Sequence, residues 1–367
     1  MHPLRPKLAD SVAEELRVGI IGRRWRNWLP QERMLAEELR VSRSTLRQAL
    51  DKLKHDRVIA AERSRGHRIV APGQSHATRP VRGRRGLKVN LLMPGSLANT
   101  RSPAVHWIDD LRAQLAREGG LVQVLESGAC DAKRPAKMLR RLAEQHPATC
   151  WVLRMAGQPT QEWFSAAGLP CVVIGTCHDG VRLPSVDVDH RAVSRHAVGR
   201  IAACGHRHVA LLIPAVQKAG DLETERGFAE GVAATNGGIE SSILRHGDGA
   251  GAVERTIGRI LRIARPPTAL LVTHPWNFLA AYCALVTTGQ RVPDDVSLVC
   301  CTQDILLDFL LPEPARYRIN PQEFSSRALR CIRAYATGSP VGAERHWILP
   351  DFVPGASLAT PRKPGRD

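Results

Sequence analysis

Apolar residues at helical spacing predict a helix between residues 42 and 55, near the amino end of the chain. Ser42 is a favoured N-cap residue, because its hydroxyl can accept a hydrogen bond from a free amide of the turn that follows. The apolar positions after it recur every three or four residues and predict one buried face, which consists of Leu46, Ala49, Leu50 and Leu53.

Shorter elements flank this helix and complete a small unit. A first helix is predicted over Glu32–Leu39. Two strands are predicted over Val58–Glu62 and His67–Ala71, around a turn at residues 63–66 that carries two arginines and a glycine. Two helices followed by a charged hairpin is the order of a winged helix-turn-helix.

The polar face of the second helix carries hydrogen-bond donors. Arg43 and Arg47 lie one turn apart, opposite the apolar face, together with Ser44 and Gln48. Such a helix fits the major groove of DNA, where an arginine bound to both acceptors of a guanine edge gives about 1–3 kcal/mol of discrimination. The alternative is a solvated helix face that binds nothing, and the order of the elements favours DNA binding.

From Leu87 onward, apolar strand-like runs alternate with amphipathic helical segments. Strands are predicted over Leu87–Met93, Leu121–Leu125, Cys150–Leu153, Cys171–Ile174, His208–Ile213, Ala269–Thr273 and Ser297–Cys301. Helices are predicted over Val105–Arg117, Ala132–Gln145, Ala192–Cys204, Leu222–Ala234, Gly251–Ile263 and Trp276–Thr287. Repeated strand-helix units with near-continuous apolar strands predict an α/β fold with parallel sheets covered on both faces.

Parallel sheets of this kind bind ligands beyond the carboxyl ends of their strands. Six residues at or just past predicted strand ends are therefore candidates for ligand contact: Ser96, Arg154, Thr176, His274, Trp276 and Thr302. Trp276 can stack on a sugar ring, although each of the six also fits as an ordinary loop residue. Residues 93–97, after the first strand, lack GxGxxG spacing, which disfavours a dinucleotide enzyme.

Positive charge is concentrated near the amino end. Residues 1–86 carry 20 Lys and Arg against 9 Asp and Glu, a net charge of +11 out of +17 for the 367-residue chain. A local excess of this kind neutralises DNA phosphates. Residues 72–86 contain two prolines, three glycines and four arginines without apolar periodicity, which predicts a basic linker.

Hydropathy and cysteine usage favour a cytoplasmic protein. The sequence has no signal-type segment after Met1 and no apolar run of about 18 residues, so neither secretion nor membrane insertion is indicated. Nine cysteines are scattered without a CxxC pair, and we expect buried free thiols. The adjacent Cys300 and Cys301 are expected on opposite faces of a strand.

The sequence lacks recognisable catalytic and metal-binding patterns. GxSxG, HExxH, P-loop and Cys-His arrangements do not occur at a useful spacing, so we expect neither enzyme activity nor a cofactor. His206 and His208 are spaced so that they can ligate a metal, but no carboxylate lies nearby in the sequence to complete a site.

Residues 4–71 closely resemble the DNA-binding domain of the GntR family. The residues that match its pattern in register are Leu29-Pro30, Glu32-Arg33, Leu35-Ala36, Leu39, Val41-Ser42-Arg43, Thr45 and Arg47. The resemblance implies DNA contacts from Arg33, Ser42, Arg43, Ser44, Thr45 and Arg47 in the helices and from Arg65, Gly66 and His67 in the hairpin. Arg40 stands in place of the usual turn glycine, and Ser64 and His67 replace the usual glycine and threonine of the wing.

Several phrases between Leu87 and Leu358 resemble the effector domain of the lactose/galactose repressor family. They are Pro184-Ser185-Val186 with Asp189 and Ala192, then Gly205 to Ala210, Gly227-Phe228, Arg265 to Ala269, and Val292 to Val299. The resemblance implies the two-lobed fold of periplasmic sugar-binding proteins. Asp189 is expected to cap the helix that begins near Ala192, and Gly205 is expected to end it.

Two positions that commonly bind sugar hydroxyls in that family differ here. Thr224 stands where an arginine is usual, and Thr302 with Gln303 stands where an aspartate is usual. Two interpretations stay open: the pocket holds a different or less polar effector, or other groups at the strand ends hold a sugar.

These features predict four segments: a winged helix-turn-helix domain at residues 1–71, a basic linker at 72–86, a two-lobed effector domain at 87–358 and a basic tail at 359–367. We expect a one-component transcription regulator, acting as a repressor, that binds operator DNA as a homodimer and senses a small metabolite such as a sugar. The alternative is a small-molecule sensor whose basic head does not read DNA sequence.

Overall fold

The chain divides into two compact units, Met1–Arg84 and Arg85–Asp367. The computed structural model describes residues 12, 13, 16, 20, 25, 28–39, 41–55, 58–62, 66–69, 86–95, 102–337 and 342–362. The predicted linker, apart from Gly86, lies outside the described residues, and so do Arg40, Ser64, Arg65 and Ser96.

The first unit contains the predicted pair of helices and a hairpin. Its elements are α1 (Glu32–Glu38), α2 (Arg43–His55), β1 (Ile59–Glu62) and β2 (Gly66–Ile69), and the two strands pair antiparallel. The predicted buried face of α2 is confirmed, because Leu46, Ala49, Leu50 and Leu53 are all buried in one apolar core with Leu35 and Ile59. We call α2 the recognition helix and the β1–β2 hairpin the wing.

The second unit is an α/β structure with two six-stranded sheets. In chain order, its elements are β3 (Lys88–Met93), α3 (Ser102–Arg117), β4 (Leu121–Glu126), α4 (Ala136–Gln145), β5 (Cys150–Arg154), α5 (Gln158–Ala167), β6 (Cys171–Ile174), β7 (Ser185–Val188), α6 (His190–Ala203), β8 (His208–Pro214), α7 (Ala219–Ala233), β9 (Glu240–His246), α8 (Ala250–Ile260), β10 (Ala269–Val272), α9 (Pro275–Thr287), β11 (Ser297–Cys300), β12 (Ala315–Arg318), α10 (Pro321–Ala336), β13 (Arg345–Ile348) and β14 (Asp351–Val353).

The strand order separates this unit into two lobes. The sheet of lobe 1 has the order β13-β7-β6-β5-β3-β4, and the sheet of lobe 2 has the order β14-β12-β11-β10-β8-β9. Neighbouring strands are parallel in both sheets, except for the antiparallel pair of β12 and β14. The predicted α/β fold with parallel sheets is therefore confirmed.

The seven strands predicted in this unit are all present, but the hydrophobic pattern missed several other elements. The missed strands and helices are β7, β9, β12, β13, β14, α5 and α10. Strands β9, β13 and β14 lie at sheet edges and are partly exposed, so they lack the continuous apolar run of a central strand. Helix α4 begins at Ala136 rather than Ala132, because Pro135 fits the start of a helix but not its interior.

Apolar side chains cover both faces of the sheets. One core cluster draws buried residues from both lobes, and separate clusters cover the other face of each sheet. Cys300 and Cys301 belong to different clusters, as expected for neighbours on a strand. All nine cysteines are free, and seven of them are buried. Within the described part of the chain, every helix is too short or too polar to span a bilayer.

Candidate DNA interface and ligand cleft

The amino end of the recognition helix carries a cluster of hydroxyl groups. Ser42 Oγ accepts a hydrogen bond from the backbone N–H of Thr45 at 3.1 Å, which confirms the predicted N-cap. The same oxygen lies 2.8 Å from both Ser44 Oγ and Thr45 Oγ1. Hydroxyls and free amides at a helix N-terminus can donate hydrogen bonds to the oxygens of a phosphate group.

The predicted polar face of the recognition helix is exposed. Arg43, Ser44, Arg47 and Gln48 all face solvent within the first unit. Arg47 Nε donates to Glu32 Oε2 at 3.0 Å, and the Arg47 side chain remains 68% exposed. Such surface ion pairs contribute only about 0–1 kcal/mol, so a DNA group can replace them at little cost.

Arg33 and the wing complete the predicted interface. Arg33 is exposed on α1 and pairs with Glu37 Oε1 at 3.1 Å. Gly66, at the start of β2, is exposed and has a positive φ of 91° that favours glycine. His67 points inward instead: its side chain is buried, and its Nε2 lies 3.4 Å from Glu32 Oε1.

A polar network lies at the carboxyl ends of the lobe 1 strands. Thr176, just after β6, is buried and donates from Oγ1 to Asp187 Oδ2 at 2.5 Å. The same carboxylate oxygen lies 3.3 Å from His190 Nε2, in the first turn of α6. Asp189 accepts from the backbone N–H of Ala192 at 2.8 Å, which confirms it as the cap of α6.

The His190 imidazole is surrounded by carboxylates and backbone. Burial opposes its protonation, but Asp187 and, at longer range, Asp221 raise its pKa above the ordinary value. A Cβ atom added to Gly220, at the start of α7, would lie 3.0 Å from the ring and 3.5 Å from Thr176 Oγ1. Glycine at this position therefore lets the backbone at the start of α7 approach the His190 ring closely.

A second acid-imidazole pair lies at the carboxyl ends of the lobe 2 strands. His274, just after β10, has Nε2 at 3.2 Å from Asp221 Oδ1. Asp221 Oδ2 also accepts from the backbone N–H of Lys218 at 2.9 Å. Burial would raise the pKa of Asp221, but the His274 hydrogen bond and charge hold it below the usual value. Nearby, Trp276 is 47% exposed in the first turn of α9.

Two ion pairs join the lobes. Lys218, at the N-cap of α7 in lobe 2, pairs with Asp131 of lobe 1. Arg226 of α7 pairs with Asp179 of lobe 1, with 2.7 Å between Nη2 and Oδ2. Each pair is partly exposed, so both lie near the surface of the unit.

The five described candidates for ligand contact occupy strand ends of both lobes. Thr176 and His274 lie on either side of the segment that contains Gly220 and Asp221. Arg154 ends β5, Trp276 follows β10 and Thr302 follows β11, each at the carboxyl end of a parallel strand. Sequence reasoning missed the partners that hold two of these side chains, namely Asp187 for Thr176 and Asp221 for His274. Only the acidic residue in the first turn of α7 is visible as a local signal, and it predicts helix capping rather than a site.

His206 and His208 have structural partners. The ring nitrogens of His206 lie 2.9 Å from Thr268 Oγ1 and 2.8 Å from the carbonyl oxygen of Ala359. Those of His208 lie 3.1 Å from the carbonyl oxygen of Arg265 and 3.0 Å from Ser242 Oγ. Across the described ranges, no group of three or more His, Cys, Asp or Glu side chains is arranged to hold a metal ion.

Comparison with known families and curated proteins separates the two units. Residues 8–69 match the profile of bacterial regulatory proteins of the gntR family, and residues 198–358 match that of the periplasmic binding protein-like domain. The HTH-type transcriptional regulator AglR of Rhizobium meliloti (strain 1021) is 26% identical over 309 residues, 81% of this chain and 83% of that protein. The HTH-type transcriptional regulator CelR of Thermobifida fusca is 26% identical over 168 residues, 43% of this chain and 48% of that protein.

Solved structures share the fold of the larger part of the chain. A LacI family transcriptional regulator from Mycobacterium smegmatis superposes with a TM-score of 0.64 at 19% identity, over 75% of this chain and 100% of that one. A LacI family transcriptional regulator from Enterococcus faecium with bound ribose superposes with a TM-score of 0.60 at 14% identity, over 74% of this chain and 99% of that one. The chain is therefore a transcriptional regulator in which a gntR-family helix-turn-helix domain is joined to a periplasmic binding protein-like domain.

Proposed function

We propose that this regulator reads operator DNA through its recognition helix and senses a small molecule in the cleft between its two lobes. The observation that carries the proposal is the exposed row of donors on α2, opposite a fully buried apolar face. The family match over residues 8–69 supports the same assignment.

The side chains of the head divide by role. We assign base contacts in the major groove to Arg43 and Arg47, because both are exposed on the outer face of α2. Phosphate contacts fall to Arg33 and to the hydroxyl cluster of Ser42, Ser44 and Thr45. The wing, with Arg65, Gly66 and His67, faces the minor groove, and the inward side chain of His67 leaves backbone groups for that contact.

Replacement of Arg47 by alanine tests this assignment. Operator sequences are first selected from random duplexes, and gel-shift titrations then compare the selected operator with a scrambled duplex. We expect Arg47→Ala to lower base discrimination by about 1–3 kcal/mol while the affinity for the small molecule stays intact. Lys54→Ala, at the other end of the same helix, is the matched control.

Unchanged selectivity in Arg47→Ala would refute the assignment. Weak, salt-labile and sequence-blind DNA binding by the unmodified protein would favour the alternative function, a small-molecule sensor whose basic head does not read sequence.

We place the effector between the lobes, in contact with the candidates Ser96, Arg154, Thr176, His274, Trp276 and Thr302. Hydrogen-bonding side chains and an exposed indole at strand ends suit a sugar or a related metabolite. The ribose-bound Enterococcus faecium regulator has the same fold, which supports this class as the first to screen. The effector acts by preferring one lobe arrangement, and only its differential affinity shifts that equilibrium.

A thermal-shift screen against sugars, sugar acids and polyols tests the effector site. For any compound that raises the melting temperature, His274→Ala and Trp276→Ala are expected to reduce the shift. Val286→Ala, exposed at the far end of the same helix α9, is expected to leave the shift unchanged. Full shifts in both site variants would exclude this part of the cleft.

We propose that the operator-binding form is a homodimer and that it acts as a repressor. Two recognition helices must lie about 34–36 Å apart to enter successive major grooves. Lobe 2 exposes a short apolar segment in which Phe309 is 80% and Leu311 is 82% exposed, close to the exposed Ile305. Clustered exposed apolar residues are typical of protein interfaces.

Sedimentation velocity of Phe309→Ser tests the dimer. We expect the variant to sediment as a monomer at concentrations where the unmodified protein is dimeric. Val216→Ser, which changes a similarly exposed residue in a different loop of lobe 2, is expected to keep the dimer. Dimers in both variants would place the interface elsewhere.

A further inference from the structure

The carboxylate of Glu32 contacts two different elements of the head. Glu32 is the first residue of α1. Its Oε2 accepts from Arg47 Nε on the recognition helix at 3.0 Å, and its Oε1 lies 3.4 Å from His67 Nε2 in the wing. One carboxylate thus joins α1, the recognition helix and the wing.

Backbone pairing places Glu32 beside the wing. The N–H of Leu29 donates to the carbonyl oxygen of His67 at 2.9 Å, and Trp28 forms an isolated antiparallel bridge with Arg68. The segment before α1 therefore runs along β2, and α1 begins next to His67. This contact is fixed by the fold and does not depend on a chance meeting of long side chains.

His67 has one polar contact of this kind. Its side chain is buried, and its Nδ1 has no hydrogen-bond partner among the described residues. A neutral imidazole donates from one ring nitrogen only. The contact with Glu32 therefore selects the tautomer with hydrogen on Nε2 and holds the wing strand against α1.

Arg47 keeps its outer edge available. A guanidinium is planar and can donate through two different edges. Glu32 engages Nε and not the edge formed by Nη1 and Nη2, and the side chain remains mostly exposed. That edge has the fork geometry that binds the two acceptors of guanine. A side chain held in this way loses less conformational freedom when it binds a base.

We propose that Glu32 is a positioning residue that determines DNA specificity: it aims Arg47 at a base edge, ties the wing to the recognition helix, and weakens attachment to DNA in general. This inference rests on the proposed DNA-binding function. The third effect follows from charge, because a carboxylate on the DNA-facing surface is repelled by phosphates on every sequence. Removal of Glu32 should therefore change general affinity and specificity in opposite directions.

The test is Glu32→Gln in the full chain, with the selected operator and a scrambled duplex titrated over a salt series. We expect the affinity for scrambled DNA to rise several-fold. We expect the ratio of operator to scrambled affinity to fall about tenfold, with the loss confined to the base pair that Arg47→Ala also affects. A merely structural role would lower both affinities together.

Glu37→Gln is the matched control. Glu37 lies on the same helix, is exposed and pairs with Arg33 at 3.1 Å, so its replacement removes the same charge without touching Arg47 or His67. We expect a small uniform gain of affinity and an unchanged ratio. Equal ratios for Glu32→Gln and Glu37→Gln would overturn the inference.

A thermal melt shows whether Glu32→Gln is folded. If that variant unfolds, Glu32→Asp provides the test instead. Aspartate retains the charge but shortens the reach to Arg47 and His67, so we expect lower selectivity without a gain in scrambled-DNA affinity. Full selectivity in Glu32→Asp would also overturn the inference. If Arg47→Ala itself keeps full selectivity, the proposed function is wrong; if only the Glu32 variants keep it, the inference alone is wrong.

Discussion

Two carboxylates at the strand ends, Asp187 and Asp221, are paired with polar or imidazole side chains. Asp187 Oδ2 serves both Thr176 and His190, and Asp221 Oδ1 faces His274. Buried charges cost free energy unless hydrogen bonds and opposite charges compensate them. Both imidazoles therefore have a partner that fixes their orientation at the strand ends.

The His190 imidazole makes stability depend on pH. Burial acts against protonation, yet Asp187 and Asp221 raise the pKa of His190 above its ordinary value of about 6.5. The charged pair therefore stabilises the fold fully below that ordinary value, and the contribution is lost as pH rises through the raised value. We expect the stability advantage of the unmodified protein over His190→Gln to be larger at about pH 6 than at about pH 8.5.

Urea denaturation of both proteins at the two pH values measures this difference. Groups other than His190 titrate in both proteins and cancel to first order in the comparison. An advantage that stays constant across the range, or grows with pH, would show that the carboxylates do not raise the pKa of His190.

Local rules account for the head residues better than for the cleft residues. The Ser42 cap and the outward arginines of α2 follow from spacing within one helix, and the structure places them as predicted. The inward turn of His67 and the Asp221–His274 pair depend on residues that only the tertiary fold brings together. No periodicity in the chain encodes such contacts.

At the scale of elements, α6 and α7 pack through glycine. A Cβ atom on Gly227 would lie 2.1 Å from the carbonyl oxygen of Arg191, and one on Gly231 would lie 2.8 Å from Val198 Cβ. Contacts this short are possible only without a side chain, so the two helices approach with little room to slide. The Gly-Phe pair, noticed in the sequence as a family signature, thus has a packing reason.

Gly227→Ala is expected to destabilise the second unit by about 1–3 kcal/mol or more. The added Cβ would collide with the backbone carbonyl of Arg191, which cannot move aside as a flexible side chain can. Gly199→Ala, on the partner helix α6, is the control of opposite sign. A Cβ there meets nothing within 4 Å, and alanine favours a helix over glycine by about 0.5–1 kcal/mol. Thermal melts measure both, and a neutral Gly227→Ala would contradict the close packing.

Sheet position explains which elements could be predicted. The central strands of both sheets are buried on two faces and carry the continuous apolar runs that identified them. Edge strand β9 is exposed or half-buried at every position before its last residue, and its sequence ESSILRH contains a single pair of adjacent apolar residues. Its pairing with β8, and not its composition, makes it a strand.

For the sensor unit as a whole, α7 of lobe 2 contacts lobe 1 at several points. Its N-cap Lys218 and its Arg226 pair with Asp131 and Asp179 of lobe 1. Its backbone at Gly220 lies close to Thr176 of lobe 1. Because α7 also packs closely against α6, we expect these contacts to act together against separation of the two lobes. The two ion pairs are partly exposed, so salt screens them.

Lys218→Gln is therefore expected to loosen the cleft without unfolding either lobe. Hydrogen exchange should be faster in peptides that cover residues 129–132, 175–180 and 215–222, and high salt should bring the unmodified protein towards the same rates. Arg191→Gln is the control, because Arg191 of α6 pairs with Glu230 of α7 inside lobe 2 and does not bridge the cleft. A surface pair contributes about 0–1 kcal/mol, which corresponds to exchange up to about fivefold faster in these segments. Equal acceleration in both variants would mean that the pair stabilises lobe 2 rather than the closed arrangement of the two lobes.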